Sequence, residues 1–158
     1  MAETSYEALK LDHQLCFRLY SAARRVTRLY HPFLDPLGIT YPQYLALLVL
    51  WEAQEPLSVG ELGQRLELES NTLTPMLKKL EVAGFVERRR SAQDERVQLV
   101  SLTDAGWALR ESAAHVPECL YEALGVSDEV AIALVGALDA FSGEMRSGNA
   151  GDARQERA

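Results

Sequence analysis

A mainly α-helical domain carrying one small β-hairpin is what this sequence predicts, on three observations. Apolar residues recur every three or four positions along most of the chain, capping signals stand at Thr40 and Ser58, and only 85–102 alternates apolar with polar residues instead. At 158 residues a single domain is expected, and 47% hydrophobic with 25% charged residues is ordinary globular usage, which excludes a disordered or fibrous chain. No window reaches the roughly 18 consecutive apolar residues of a membrane span, and the opening MAETSYEALK lacks an apolar signal core. The expected setting is therefore the cytoplasm, without membrane contact. Thiols there stay reduced, so Cys16 and Cys119 are expected to be free and any reactivity of theirs regulatory.

The first helix is read from Leu11, Leu15, Leu19, Ala22, Val26 and Leu29, which share one face, and Pro32, Pro36 and Gly38 are expected to end it. Thr40 with Gln43 opens a second helix, in which Pro42 is tolerated in the first turn and LALLVLWE is buried, as far as Pro56. Ser58 with Glu61 is a second capping box, for a short helix through Leu66. Ser70 is the next expected cap, for a helix from Asn71 to Ala83 with Leu73, Met76, Leu77 and Leu80 inward and Gly84 as its stop. Those two helices with their short turn form a helix-turn-helix. FVERRR and VQLVSL around SAQDER then read as a two-stranded hairpin. Thr103 caps a following helix, and Ser127 with Asp128 and Glu129 opens a last one ending near Met145.

That order is a winged helix-turn-helix with a helical dimerisation region. The single domain is expected over 1–147, with dimerisation helices 10–35 and 104–146, a DNA-binding lobe 56–103, and a disordered tail at 148–158. Terminal helices longer than a minimal DNA reader needs call for something to bury against, and a second copy of the chain is the simplest answer.

A net charge of −7 argues against nucleic acid at first sight, because phosphate attraction dominates nonspecific binding. Its distribution reverses that argument. Between Lys78 and Arg96 stand Lys78, Lys79, Arg88, Arg89, Arg90 and Arg96 against Glu81, Glu87, Asp94 and Glu95, a net of +2 that leaves −9 for the rest. An acidic body with a basic segment admits one oriented approach to a duplex. Ser70, Asn71, Thr72, Thr74, Pro75, Lys78 and Lys79 are the expected exposed set of the recognition helix, suited to base edges and phosphates in the major groove. Arg96 is expected at the minor groove with Asp94 holding its guanidinium, and Arg88 and Arg90 at phosphates. Strand alternation lets at most two of Arg88, Arg89 and Arg90 face DNA, so the third is structural.

From Phe85 to Gly106, with Asp94, Arg96 and LTDAG, the chain resembles the wing signature of the MarR family. LDHQLCFRLYSA followed by GITYPQYLALLVLWE resembles the organic hydroperoxide resistance regulators of that family more narrowly. The resemblance spans about residues 9–146. It implies a dimeric repressor, not an enzyme, that binds operator DNA, needs no cofactor or metal, and takes an organic hydroperoxide as inducer. It further implies that a thiolate at Cys16 is the sensor, hydrogen-bonded by Tyr30 and Tyr41 of the partner subunit. The residues agree with that. Cys16 and Tyr30 are 14 positions apart and nearly in phase, yet roughly 21 Å apart along a helix, so only an antiparallel second chain brings them together.

Phenolic donors favour an anionic sulfur, the nucleophilic form. Phe17, Leu19, Tyr20 and Trp51 are the expected peroxide pocket, and His13 is expected to be a solvated surface residue. Family members divide into those with one functional cysteine and those with a resolving thiol after the wing. Cys119 is the only candidate here, about one turn before the family's usual place near Glu122. A repressor responding to a phenolic or lipid ligand without cysteine chemistry is the alternative; a thiol peroxidase and a purely structural adaptor are remoter ones.

Overall fold

The computed structural model describes residues 6–155, with side chains through Met145. The helices are α1 (Leu15–Leu29), α2 (His31–Leu34), α3 (Tyr41–Ala53), α4 (Val59–Leu66), α5 (Ser70–Val82), α6 (Asp104–Ala113), α7 (Val116–Leu124) and α8 (Asp128–Gln155). The strands are β1 (Leu57–Ser58), β2 (Val86–Arg90) and β3 (Gln98–Leu102). Two compact units divide between Leu120 and Tyr121, within α7.

The helix-turn-helix and its wing are where the sequence placed them, with local differences. The first helix starts at Leu15 and not at Leu11, because Gln14 adopts an extended backbone and Leu11–His13 closes a separate 3-10 turn. Pro32 and Pro36 do not simply break the chain. Each sits in the first turn of a short helical segment, α2 and a 3-10 turn at Asp35–Leu37, where a missing N–H costs nothing. Gly38 then reverses the chain at φ +70°. Both expected capping boxes are present: the Gln43 side chain accepts from the Thr40 N–H at 2.8 Å, and that of Glu61 from the Ser58 N–H at 2.7 Å. The cap of α5 is displaced by one residue, since Ser70 is already helical and Glu69 holds the cap position without a side-chain bond.

The expected two-stranded hairpin is a three-stranded antiparallel sheet in the order β1-β3-β2. Leu57 and Arg88 both pair with Val100, which makes β3 the central strand. The two residues of β1 are too few for a periodic signal to reveal. The helix after the wing is two helices, α6 and α7, with Pro117 in the first turn of the second. The last helix runs ten residues past its expected end at Met145. The expected tail, 148–158, falls where side chains lie outside the described residues.

The core of the first unit gathers Leu47, Leu50, Leu62, Leu73, Leu77, Leu80, Val86 and Val100, all at most 2% exposed. α3 crosses it, with six buried residues among thirteen, and carries the junction on which the wing turns. Trp51 donates its Nε1 proton to the Gly106 carbonyl at 2.9 Å. Gly106 in turn lies so close to the preceding wing turn that an added β-carbon would stand 2.0 Å from the Phe85 carbonyl oxygen. Thr103 caps α6 through the Gly106 N–H at 3.1 Å, while its own hydroxyl donates to the Gly84 carbonyl at 2.6 Å. LTDAG is thus a packing motif: cap, close approach and tryptophan acceptor within four residues.

Gly106→Ala should destabilise the fold by about 2–4 kcal/mol, because the clash is with backbone that cannot swing away. Trp51→Phe should cost about 1 kcal/mol by removing this hydrogen bond, while the Gly106 carbonyl keeps its partner in the α6 ladder. Urea unfolding measures both, and a wild-type midpoint for Gly106→Ala would refute the role given to this contact.

Candidate nucleic-acid interface and redox site

The reading head is built on a tight turn between α4 and α5. The Gly63 carbonyl accepts the Leu68 N–H at 2.9 Å, and an added β-carbon on Gly63 would stand 2.7 Å from the Leu68 carbonyl oxygen, so only glycine lets the helices meet this closely. α5 buries Leu73, Leu77 and Leu80 and half-buries Met76. Its opposite face exposes Ser70, Asn71, Thr72, Thr74, Pro75, Lys78 and Lys79, the whole expected set. The Glu69 carboxylate accepts from the Asn71 amide at 3.3 Å, and the Asn71 carbonyl oxygen accepts from the Thr72 hydroxyl at 3.2 Å. Pro75 lies inside the helix and withdraws the N–H that would otherwise bond the Asn71 backbone carbonyl.

At the wing, two assignments change. The Asp94 carboxylate accepts the backbone N–H of Arg96 at 2.9 Å and shapes the loop, while no ion pair among the described residues joins it to the Arg96 guanidinium. Arg88 is the structural arginine of the strand. Its Nε and Nη2 donate to Glu81 Oε2 at 2.9 and 2.6 Å, and its side chain is only 15% exposed. Arg89 pairs with Glu87 at 2.8 Å on the exposed side. Arg90 and Arg96 are exposed and enter none of the described ion pairs.

Cys16 is exposed in the first turn of α1, a helix without a single buried residue. Tyr30 stands at the other end of that helix, as its C-cap. There it stacks on Tyr41 with ring centroids 4.4 Å apart, and the series continues to Tyr44 at 5.9 Å and from Tyr44 to Trp51 at 6.3 Å. Burial, and then the neighbouring phenols of Tyr41 and Tyr44, push Tyr30 up to about 12; burial and Tyr41 raise Tyr44. Both stay protonated at physiological pH, and the Tyr30 hydroxyl is hydrogen-bonded to Tyr41. Sequence reasoning found Tyr30 and Tyr41 but missed Tyr44, 3% exposed, whose spacing three residues after Tyr41 was the available signal.

The expected peroxide pocket is not gathered within one chain. Phe17 and Tyr20 line a shallow groove along α1 with Arg24, Arg25 and Arg28, and the Arg24 guanidinium lies 5.5 Å from the Tyr20 ring centroid. Leu19 is half-buried on the same helix. Trp51 lines a different, largely apolar groove of about 360 Å³, with Tyr44, Leu48, Ala113 and Pro117 as walls and Glu52 and Arg110 as its charged residues. Cys119 is half-buried in α7, and His13 is exposed with its Nδ1 at 3.0 Å from the Glu7 carbonyl oxygen. No cluster of metal-ligating side chains occurs among the described residues, and no helix among them is long and apolar enough to cross a membrane.

Comparison with known proteins agrees with this geometry. Residues 28–111 match the family model for the transcriptional regulator SarA/Rot. The organic hydroperoxide resistance transcriptional regulator of Bacillus subtilis is 50% identical over 127 residues, which cover 80% of this chain and 84% of that one. The chain belongs to the MarR family, among its organic hydroperoxide resistance regulators. Another relative, the regulator SarZ of Staphylococcus epidermidis, is 35% identical to this MarR-family chain over 88% of its length and 90% of the relative's. Among solved structures, reduced AbfR bound to DNA has a TM-score of 0.73 at 37% identity, covering 88% of this chain and 97% of that one. A MarR mutant from E. coli complexed with operator DNA also has a TM-score of 0.73, at 27% identity over 80% of this chain and 92% of that one. The MarR-type fold and the relatives are those of DNA-binding transcriptional regulators, not of enzymes.

Two carboxylates hold this MarR head together, and both are titratable. Bonds from Ser58 hold Glu61, and the Arg88 guanidinium holds Glu81, below the ordinary carboxylate range. A carboxyl depressed in the folded state stabilises it fully above its unfolded value, about 4.3, and loses that contribution as pH falls through the folded value. The denaturation midpoint should therefore drop as pH falls below about 5, and less so in the Glu61→Gln, Glu81→Gln double variant. Equal acid sensitivity in the two proteins, by urea unfolding, would show that other groups govern it.

Proposed function

We propose that this chain is a dimeric, DNA-binding repressor that reacts with an organic hydroperoxide at Cys16 and then leaves its operator. The observation that carries the reading is the separation of an exposed thiol from a stack of tyrosines, at opposite ends of one unburied helix. Neither end is a site alone. A second chain in the opposite sense would seat Cys16 against the partner's Tyr30 and Tyr41, with Tyr44 behind them.

Charge supports that pairing. α1 carries Arg18, Arg24, Arg25 and Arg28 and no acid, whereas 128–146 carries Asp128, Glu129, Asp139 and Glu144 against the single base Arg146. That segment also exposes Val130, Ile132, Leu134 and Val135, each by more than half, so opposite charges would flank apolar surface in a second copy's embrace.

In the reaction the Cys16 thiolate attacks the terminal oxygen of the hydroperoxide. A sulfur–oxygen bond forms, the oxygen–oxygen bond breaks, and the alkoxide leaves as the alcohol after taking one proton. Sulfur is oxidised by two electrons and the peroxide reduced by two. The resulting sulfenic acid condenses with a thiol, Cys119 or a small cellular one, releasing water. Phenol donors favour the anionic sulfur in the first step. The operator would be gripped by the exposed face of α5 and by Arg90 and Arg96 of the wing, in the same manner as the DNA-bound relatives' shared fold suggests.

The apolar groove beside Tyr44 and Trp51 favours a second reading, in which a phenolic or lipid ligand binds there and Cys16 is incidental. Cys16→Ser separates the two. Wild-type protein should leave operator duplex on treatment with cumene hydroperoxide while Cys16→Ser stays bound; release of the variant would establish the ligand reading and end the sensing one. Tyr30→Phe and Tyr41→Phe should each slow Cys16 oxidation about tenfold or more, the worth of one hydrogen bond to a charged group. Mass spectrometry after one equivalent of peroxide gives those rates and shows whether Cys16 and Cys119 become linked.

A further inference from the structure

We infer that Glu81 and Arg88 are a positioning pair for operator reading: their ion pair fixes the wing against the recognition helix, and Arg88 makes no phosphate contact. The inference rests on the reading of α5 and the wing as the DNA-binding head.

The argument begins where α5 ends. The Phe85 N–H bonds the Leu80 carbonyl and the Gly84 N–H the Glu81 carbonyl, both at 3.0 Å, with Gly84 at φ +80°. That double closure leads the chain from recognition helix into β2 through three residues only, Ala83, Gly84 and Phe85. Backbone bonds thus set where the wing starts. They do not set how a five-residue strand swings about that start. Pairing with β3 and the burial of Val86 hold the strand as part of the sheet, and one side-chain bond ties it directly to the recognition helix: Glu81, in the last turn of α5, meets Arg88, the third residue of β2, through two N–H donors on one carboxylate oxygen.

The placement of Glu81 is informative in itself. The C-terminal end of a helix carries negative partial charge, so an acid in the last turn weakens the helix that bears it. Its partner recovers that loss only in the folded head, where Arg88 is largely withdrawn from water. Arg88 also pairs across the sheet with Val100, the central residue that β1 pairs with as well, so the strand position it fixes is shared by all three strands. A guanidinium committed in this way is turned from solvent phosphate. Arg90, two residues on, exposed and in no ion pair among the described residues, is the cation left to meet phosphate on the strand that the pair braces.

Wild-type full-length protein is used to select a tight-binding duplex from a random pool, and affinity for it and for poly(dI-dC) is measured across a salt series. Arg88→Ala should weaken the selected duplex about tenfold while leaving the salt slope unchanged and poly(dI-dC) affinity nearly so. Arg90→Ala should instead flatten the slope by about 0.9, the signature of one lost phosphate contact. The charge swap, Glu81→Arg with Arg88→Glu, should recover most of the selected-duplex affinity lost in Arg88→Ala. A slope flattened by about one unit in Arg88→Ala, with equal loss on both duplexes, would make Arg88 a phosphate contact and overturn the inference. A folded swap variant, by thermal melt, no tighter than Arg88→Ala would overturn it also. Failure of the wild-type protein to select any duplex would instead sink the DNA-binding reading itself.

Discussion

The structure depends on one close approach, that of the Gly106 backbone to the turn at Phe85. The recognition helix arrives at that turn from one side and the wing leaves it on the other, while α6 starts from the same point through Thr103. A side chain at 106 would push all three apart. The Trp51 indole fastens the cluster to the core with a bond inside apolar surroundings, where a hydrogen bond is both strong and costly to lose. The point from which the DNA-facing elements depart is therefore a packing property, and the Glu81–Arg88 bond acts on a wing already anchored there.

α3 ties this junction to the tyrosine stack. Its first turn carries Tyr41 and Tyr44 and its last carries Trp51, and the aromatic series from Tyr30 to Trp51 runs along it without a gap wider than 6.3 Å between neighbouring centroids. Close-packed interiors transmit displacement because they contain few voids to absorb it. A shift of the first turn of α3 has two immediate neighbours to disturb: the core through Tyr44, and α5 through the groove in which Thr40, Pro42 and Gln43 face Thr72, Pro75 and Lys79. The same helix that bears the phenols thus borders the recognition face directly.

What the sequence revealed was whatever a local rule writes into consecutive residues. Capping boxes at Thr40 and Ser58, the stop at Gly84 and the alternation of the wing are each decided within a few positions, and they appear as read. Missed features needed a partner distant in sequence. β1 is two residues long and exists only because β3 offers an edge. Glu69 displaced Ser70 as the α5 cap because a helix start is set by backbone geometry and tertiary fit as well as by capping preference. The break between α6 and α7 was written locally, in Pro117, but the periodicity on either side concealed it.

The site divides along the same line. Exposure of the α5 polar face followed from helical period alone, since burying Leu73, Leu77 and Leu80 leaves no other face for water. Strand alternation likewise required one wing arginine to be structural. It assigned Arg88 to DNA together with Arg90, because the two lie on the same side of a strand and differ only in what stands opposite. Opposite Arg88 stands Glu81, seven residues earlier on another element, and that carboxylate takes the guanidinium out of solvent. Period assigns a side chain to a face; only the fold assigns it a partner, and in a head this small the partner decides whether a cation reads or braces.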